Sequence, residues 1–245
     1  MNKPDMNKLL NLKRDIRFEA KGDKEYKLAI YGTIGGWFGE NDANTVRRKL
    51  QDVKAEKIHV HINSGGGSAF DGVAICNMLK QHDSEIIVHV DGWAASAASV
   101  IAMAGDEIIM PSNTMMMIHQ ASTFEYGNAD NFEKTAKDLR KIDTALTASY
   151  KSRFVGTDEE LKQLLKEETW LTADEAVALG LADEVAEEIE IDDTQEKEET
   201  TEVDNTKGQL VAKYAAVAKE NKKEQEEEPE QEKPKANLSE LFLNL

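Results

Sequence analysis

Between residues 26 and 186 the spacing of apolar positions keeps switching between two periods. "YKLAIYG" (26–32) is a short apolar run stopped by glycine, the signature of a strand. "DANTVRRKLQDV" (42–53) has helical spacing, and "KIHVHIN" (57–63) alternates strictly with β-branched residues. "AFDGVAICNMLKQH" (69–82) returns to helical spacing, and "EIIVHVDG" (85–92) is again a strand. "AASAASVIAMAG" (94–105) has the length and alanine content of a buried helix, followed by short strands at 107–111 and 115–120. Strands and helices that alternate along the chain predict an α/β class with a mainly parallel sheet.

The later helices carry start signals. Asp130 with Glu133, Thr157 with Glu160 and Thr172 with Glu175 each have capping-box spacing. Phe132, Ala136, Leu139, Ile142 and Leu146 form one apolar stripe, and Gly180 marks a helix end before a last strand at 180–185. Beyond that the apolar positions thin out. The pattern divides the chain into a flexible N-terminal segment (1–24), a folded domain (25–186) and an acidic low-complexity tail (187–245). Within the tail "QLVAKYAAVAKE" has the makings of a short helix. The apolar end "NLSELFLNL" reads as a frayed amphipathic end or as a docking peptide.

Charge sharpens this division. The net charge of the 245-residue chain is −17, which disfavours nucleic acid and anionic membranes as partners. Residues 187–245 hold 18 acidic and 8 basic side chains, net −10, which leaves −7 for the rest. The single cysteine, Cys76, cannot form a disulfide within the chain. With no secretory h-region and no apolar run long enough to span a bilayer, the expectation is a soluble cytoplasmic protein.

Three stretches carry candidate chemistry. "INSGGGS" (62–68) lies between a strand and a helix, where glycines let backbone N–H groups approach a ligand. It lacks both nucleotide-binding glycine patterns, so a plain turn and an anion or oxyanion site stay open. His59 and His61 share a strand face but have no carboxylate or cysteine at ligand spacing, which favours a structural pair over a metal site. His119 ends an apolar strand at the rim of the expected sheet, the usual place for a site in an α/β protein. In "GWAASAAS" (92–99), small residues around Ser96 and Ser99 suit an accessible nucleophile with free N–H groups beside it, and suit close packing equally well.

In order and spacing, "INSGGGS", "GWAASAAS", "MIHQ" and "WLTADEAVALGLADEV" resemble the Clp protease proteolytic subunit family over roughly residues 26–186. The resemblance implies the spiral of ββα units of the Clp/crotonase type, with a protruding handle at residues 121–150. It implies a serine protease without metal or cofactor, in which Ser96 is the nucleophile, His119 the general base and Glu168 the acid. Gly67 and Ala97 would supply the oxyanion N–H groups, and Ser99 would be packing. Two positions depart from the family pattern. Gly65 stands where proline is usual, and Glu168 where aspartate is usual, with Glu167 and Asp174 as rivals for the acid.

The resemblance also implies homo-oligomeric rings acting on protein or peptide substrates. The wording "EETWLTADEA" and the charged tail look most like the head maturation proteases of tailed phages, which process capsid or scaffold proteins in the host cytoplasm. A cellular subunit working with an AAA+ unfoldase is the alternative. A crotonase-like acyl-CoA enzyme, using the oxyanion hole alone, is the alternative of another class.

Overall fold

The computed structural model describes residues 18–20, 24–36, 41–186 and 206–215. Eight strands form one sheet: β1 (Phe18–Ala20), β2 (Glu25–Tyr31), β3 (Lys57–Ser64), β4 (Glu85–Ala95), β5 (Glu107–Pro111), β6 (Met115–Ile118), β7 (Thr169–Thr172) and β8 (Glu184–Ala186). The path runs β1-β2-β3-β4-β5-β8, and β6 joins β4 while β7 joins β6. The β1–β2 and β6–β7 pairs are antiparallel, and the remaining pairs are parallel. Six helices alternate with these strands: α1 (Ala43–Leu50), α2 (Ala69–Lys80), α3 (Ala97–Ala102), α4 (Ala129–Lys151), α5 (Asp158–Lys166) and α6 (Ala173–Ala178). Residues 206–215 form a further helix, α7.

The alternation in β3 sets the two faces of the sheet. Ile58, Val60 and Ile62 are fully buried, and Lys57, His59, His61 and Asn63 lie on the opposite face. On the buried side α2 and α3 pack closely, because Gly72 offers no side chain where a Cβ would lie 2.9 Å from the Ala97 carbonyl oxygen. The division of β4 decides where the site forms. Ile87–His89 pair with β5, whereas Trp93–Ala95 pair with β6, so the strand that follows β5 is laid against the end of β4.

Two helix boundaries differ from the sequence expectation. The helix expected over 94–105 is confined to Ala97–Ala102, because the pairing of Trp93–Ala95 with Met115–Met117 keeps residues 93–95 extended. At α4 the cap is Asn128 with Asn131 in a reciprocal box, not Asp130 with Glu133. The boxes Thr157–Glu160 and Thr172–Glu175 form as expected. Gly180 (φ 75°) closes α6, with Leu181 N–H donating to the Ala176 carbonyl and Gly180 N–H to that of Val177.

Most of the expected tail lies outside the described residues, including "NLSELFLNL". The short helix expected there is seen over residues 206–215, and it is seated on the domain. Leu210 is buried in the main core, with Val211 and Tyr214 packed beside it. No helix of the described residues is long and apolar enough to cross a membrane.

Candidate active site

Ser96 sits between the end of β4 and the start of α3. Its φ of 57° and ψ of −124° are unusual for a residue with a side chain, and they turn the chain sharply from strand to helix. Such strained turns at a strand-to-helix junction lift a serine hydroxyl clear of its neighbours. The Ser96 N–H donates to the Met117 carbonyl at 2.9 Å, which ties the turn to β6. Two residues further along, His119 leaves β6, and its Nε2 lies 2.7 Å from Ser96 Oγ. In the tautomer with its proton on Nδ1, a neutral His119 accepts a hydrogen bond from the Ser96 hydroxyl at Nε2.

The glycine turn packs directly on this serine. A Cβ on Gly66 would lie 2.6 Å from Ser96 Cβ and 2.9 Å from the Ala97 nitrogen. Gly67 (φ 149°) is held in a bridge to Ile34, in which Ile34 N–H donates to the Gly66 carbonyl and Ser68 N–H to the Ile34 carbonyl. These bonds pass to either side of Gly67 and leave its N–H out of the ladder. Ala97 is the first residue of α3, where a helix has no internal partner for the N–H. Among the described residues neither N–H donates a hydrogen bond. Two unengaged donors therefore flank the serine. A cavity of about 280 Å³ opens beside them, walled by Phe70, Leu139, Ile142 and Leu146.

Glu168 follows α5 in a turn and is exposed, with φ 52°. The β6–β7 register pairs Ile118 with Thr169, and His119 and Glu168 are the next residues beyond that last pair. Gln120 N–H donates to the Leu165 carbonyl at 3.0 Å and draws this turn against the histidine segment. Among the described residues no hydrogen bond or ion pair joins Glu168 to His119. The rivals lie elsewhere: the Glu167 carboxylate accepts from Gln163 (2.7 Å) and Thr206 (2.9 Å), and Asp174 is exposed in the first turn of α6.

Ser99 is fully buried. Its hydroxyl lies 2.7 Å from the Ser96 carbonyl, to which it donates, and 2.8 Å from the hydroxyl of Tyr150 on α4. Tyr150 is also buried, and burial pushes its phenol well above the usual range. This support beneath the serine has no sequence signature, because residues 99 and 150 meet only through the packing of α4 on α3.

The histidines on the open sheet face have carboxylate neighbours that sequence spacing does not show. His61 Nδ1 lies 2.9 Å from Asp91 on β4, and His59 Nε2 is 3.7 Å from Glu25 on β2. His59 Nδ1 is 3.0 Å from His89 Nε2, and the rings of His59 and His61 both stack on that of His89. Burial, reinforced by the two neighbouring histidines, lowers His89 to about 4. Among the described residues no group of three or more His, Cys, Asp or Glu side chains has the arrangement to hold a metal ion.

Comparison with known proteins adds an independent line. The family model described as "Clp protease" matches residues 33–189. An ATP-dependent Clp protease proteolytic subunit of Deinococcus radiodurans is 31% identical over 144 residues, covering 58% of this chain and 68% of the relative. The corresponding subunit of Bacteroides fragilis is 28% identical over 159 residues, covering 62% and 76%. Among solved structures, a ClpP1 variant from Listeria monocytogenes superposes with a TM-score of 0.58 at 25% identity, covering 66% of this chain and 92% of the other.

Proposed function

From the premise that this chain belongs to the Clp protease family and is a serine-type peptidase, we propose that Ser96, His119 and Glu168 are its catalytic residues. The 2.7 Å contact between Ser96 Oγ and His119 Nε2 carries this reading. Ser96 Oγ attacks the scissile carbonyl carbon while its proton passes to Nε2. The carbonyl oxygen becomes an oxyanion held by the N–H groups of Gly67 and Ala97, an interaction that supplies about 3–4 kcal/mol in such enzymes. As the tetrahedral intermediate collapses, the C–N bond breaks and Nε2 returns the proton to the leaving amine. Water then hydrolyses the acyl-enzyme by the same path in reverse roles. Glu168 accepts from Nδ1–H and stabilises the imidazolium, after a side-chain rotation across from His119. The apolar wall of Phe70, Leu139, Ile142 and Leu146 in the cavity beside Ser96 suits an aliphatic or aromatic side chain next to the scissile bond.

A fluorophosphonate probe tests the pair. Labelling of Ser96 in the wild type, lost in Ser96→Ala and His119→Ala, is the expected result. Full labelling of the His119→Ala protein would overturn the assignment. The acyl-CoA alternative gives no reason for a nucleophile–base contact, and the family match does not favour it.

We further propose rings of identical subunits acting on protein substrates, with capsid or scaffold proteins cleaved during phage head maturation. The "EETWLTADEA" segment and the acidic region beyond residue 187 support this setting. The description of the relatives as ATP-dependent favours a second reading, a subunit fed by an AAA+ unfoldase. Co-expression with the capsid and scaffold proteins of a tailed phage separates the two. Their cleavage without an ATPase is expected, and proteolysis only with an unfoldase and ATP would overturn the phage reading.

A further inference from the structure

The helix at residues 206–215 is held by the elements on either side of Glu168. Thr206 Oγ1 donates to the Glu167 carboxylate at 2.9 Å. Lys207 Nζ reaches the Trp170 carbonyl at 3.2 Å and the Glu175 carboxylate at 2.9 Å. One residue before Glu168 and the second residue after it are thus both tied to the start of α7. Further along, Lys213 pairs with Glu160 at 2.7 Å, the Tyr214 hydroxyl donates to the same carboxylate at 3.1 Å, and Leu210 is buried. The helix therefore bridges α5, β7 and α6, the three elements that meet around the Glu168 turn.

That turn has reason to need holding. Glu168 carries a side chain at φ 52°, a conformation that persists only where its surroundings enforce it. Its other anchors are the Thr169 hydroxyl on the Leu164 carbonyl (2.7 Å), the Gln120–Leu165 bond, the Gln163 side chain on the Glu167 carboxylate (2.7 Å) and the β6–β7 pairing. Thr206 and Lys207 add ties from α7 at Glu167 and Trp170.

We propose that α7 is a brace that positions Glu168 against His119, with Thr206 and Lys207 as positioning residues. The proposal rests on the reading of Glu168 as the acid. A segment beyond the domain that matches the family then sets how far the acid stabilises the protonated base. Loss of the brace removes part of that stabilisation, so acylation slows and the acidic limb of its rate profile moves to lower pH.

The test uses the full chain and the pH dependence of fluorophosphonate acylation. Thr206→Val with Lys207→Met removes the polar ties and leaves Leu210 in place. Leu210→Glu expels the helix, with hydrogen exchange of residues 206–215 as the check on undocking. Each is expected to slow acylation about tenfold and to shift the acidic limb downward, as small misplacements of a catalytic group do. Neither should have a further effect in a Glu168→Gln background. Equal losses in both backgrounds with an unshifted profile would reduce α7 to general stabilisation and overturn the brace, while leaving Glu168 as the acid. A Glu168→Gln protein with wild-type rate and profile would overturn the acid itself, and the brace with it.

Discussion

Gly67 illustrates how tightly single residues are fixed around the serine. Its φ of 149° is open to glycine, and a Cβ there would lie 2.2 Å from the Ile34 carbonyl oxygen. Gly67→Ala should therefore lose roughly 2 kcal/mol or more in a urea melt, because the bridge to Ile34 must break. Its acylation rate should fall roughly 10²-fold or more as the N–H turns away. Near-wild-type values of both would mean that the turn is plain structure. Glu168→Gln should slow acylation roughly 10²–10⁴-fold, the range for losing the acid of such a triad, with Glu167→Gln and Asp174→Asn close to wild type. The glycines and the order of serine and histidine were legible in the sequence because each needs a particular residue type. The proposed acid was less legible, since three carboxylates lie within a few residues and no local pattern distinguishes them.

Among the elements, α3 and α4 depend on one another. The buried hydroxyls of Ser99 and Tyr150 bond beneath the Ser96 turn, and Tyr150 depends on that bond while Ser99 also holds the Ser96 carbonyl. Ser99→Ala should cost about 1–3 kcal/mol by chemical denaturation, because the Tyr150 hydroxyl keeps no partner. Tyr150→Phe should cost about 1 kcal/mol, because Ser99 still donates to the Ser96 carbonyl. Equal costs would contradict this account. Helical and strand periods foretold these elements except β1, which lies in the segment read as flexible, and β7, which is too short to show a period. The N-terminal limit of α3 was not legible, because alanine-rich sequence suits a helix from residue 94, and the pairing of β4 with β6 overrides that preference.

For the molecule as a whole, the open face of the sheet makes stability depend on pH. His89 is held neutral down to about 4, whereas its unfolded counterpart takes up a proton near 6.5. Between those values the unfolded state binds more protons, so stability should fall as pH drops from about 6.5 to about 4. Asp91, lowered by His61 and Tyr31 against the opposing effect of burial, loses its contribution only below its own ordinary range. A thermal melt series over that window should be flatter for His89→Gln than for wild type, and parallel curves would refute the assignment. Sequence alone determined the fold class, the helix order, every strand but β1 and β7, and the residue types at the glycine turn, the serine and the histidine, because local periodicity and backbone freedom require them. Only the tertiary structure decided that Ser99 and Tyr150 support the serine, that carboxylates join the histidine face, and that residues 206–215 close on the domain. Those depend on strand register and on contacts between distant segments, which no local pattern encodes.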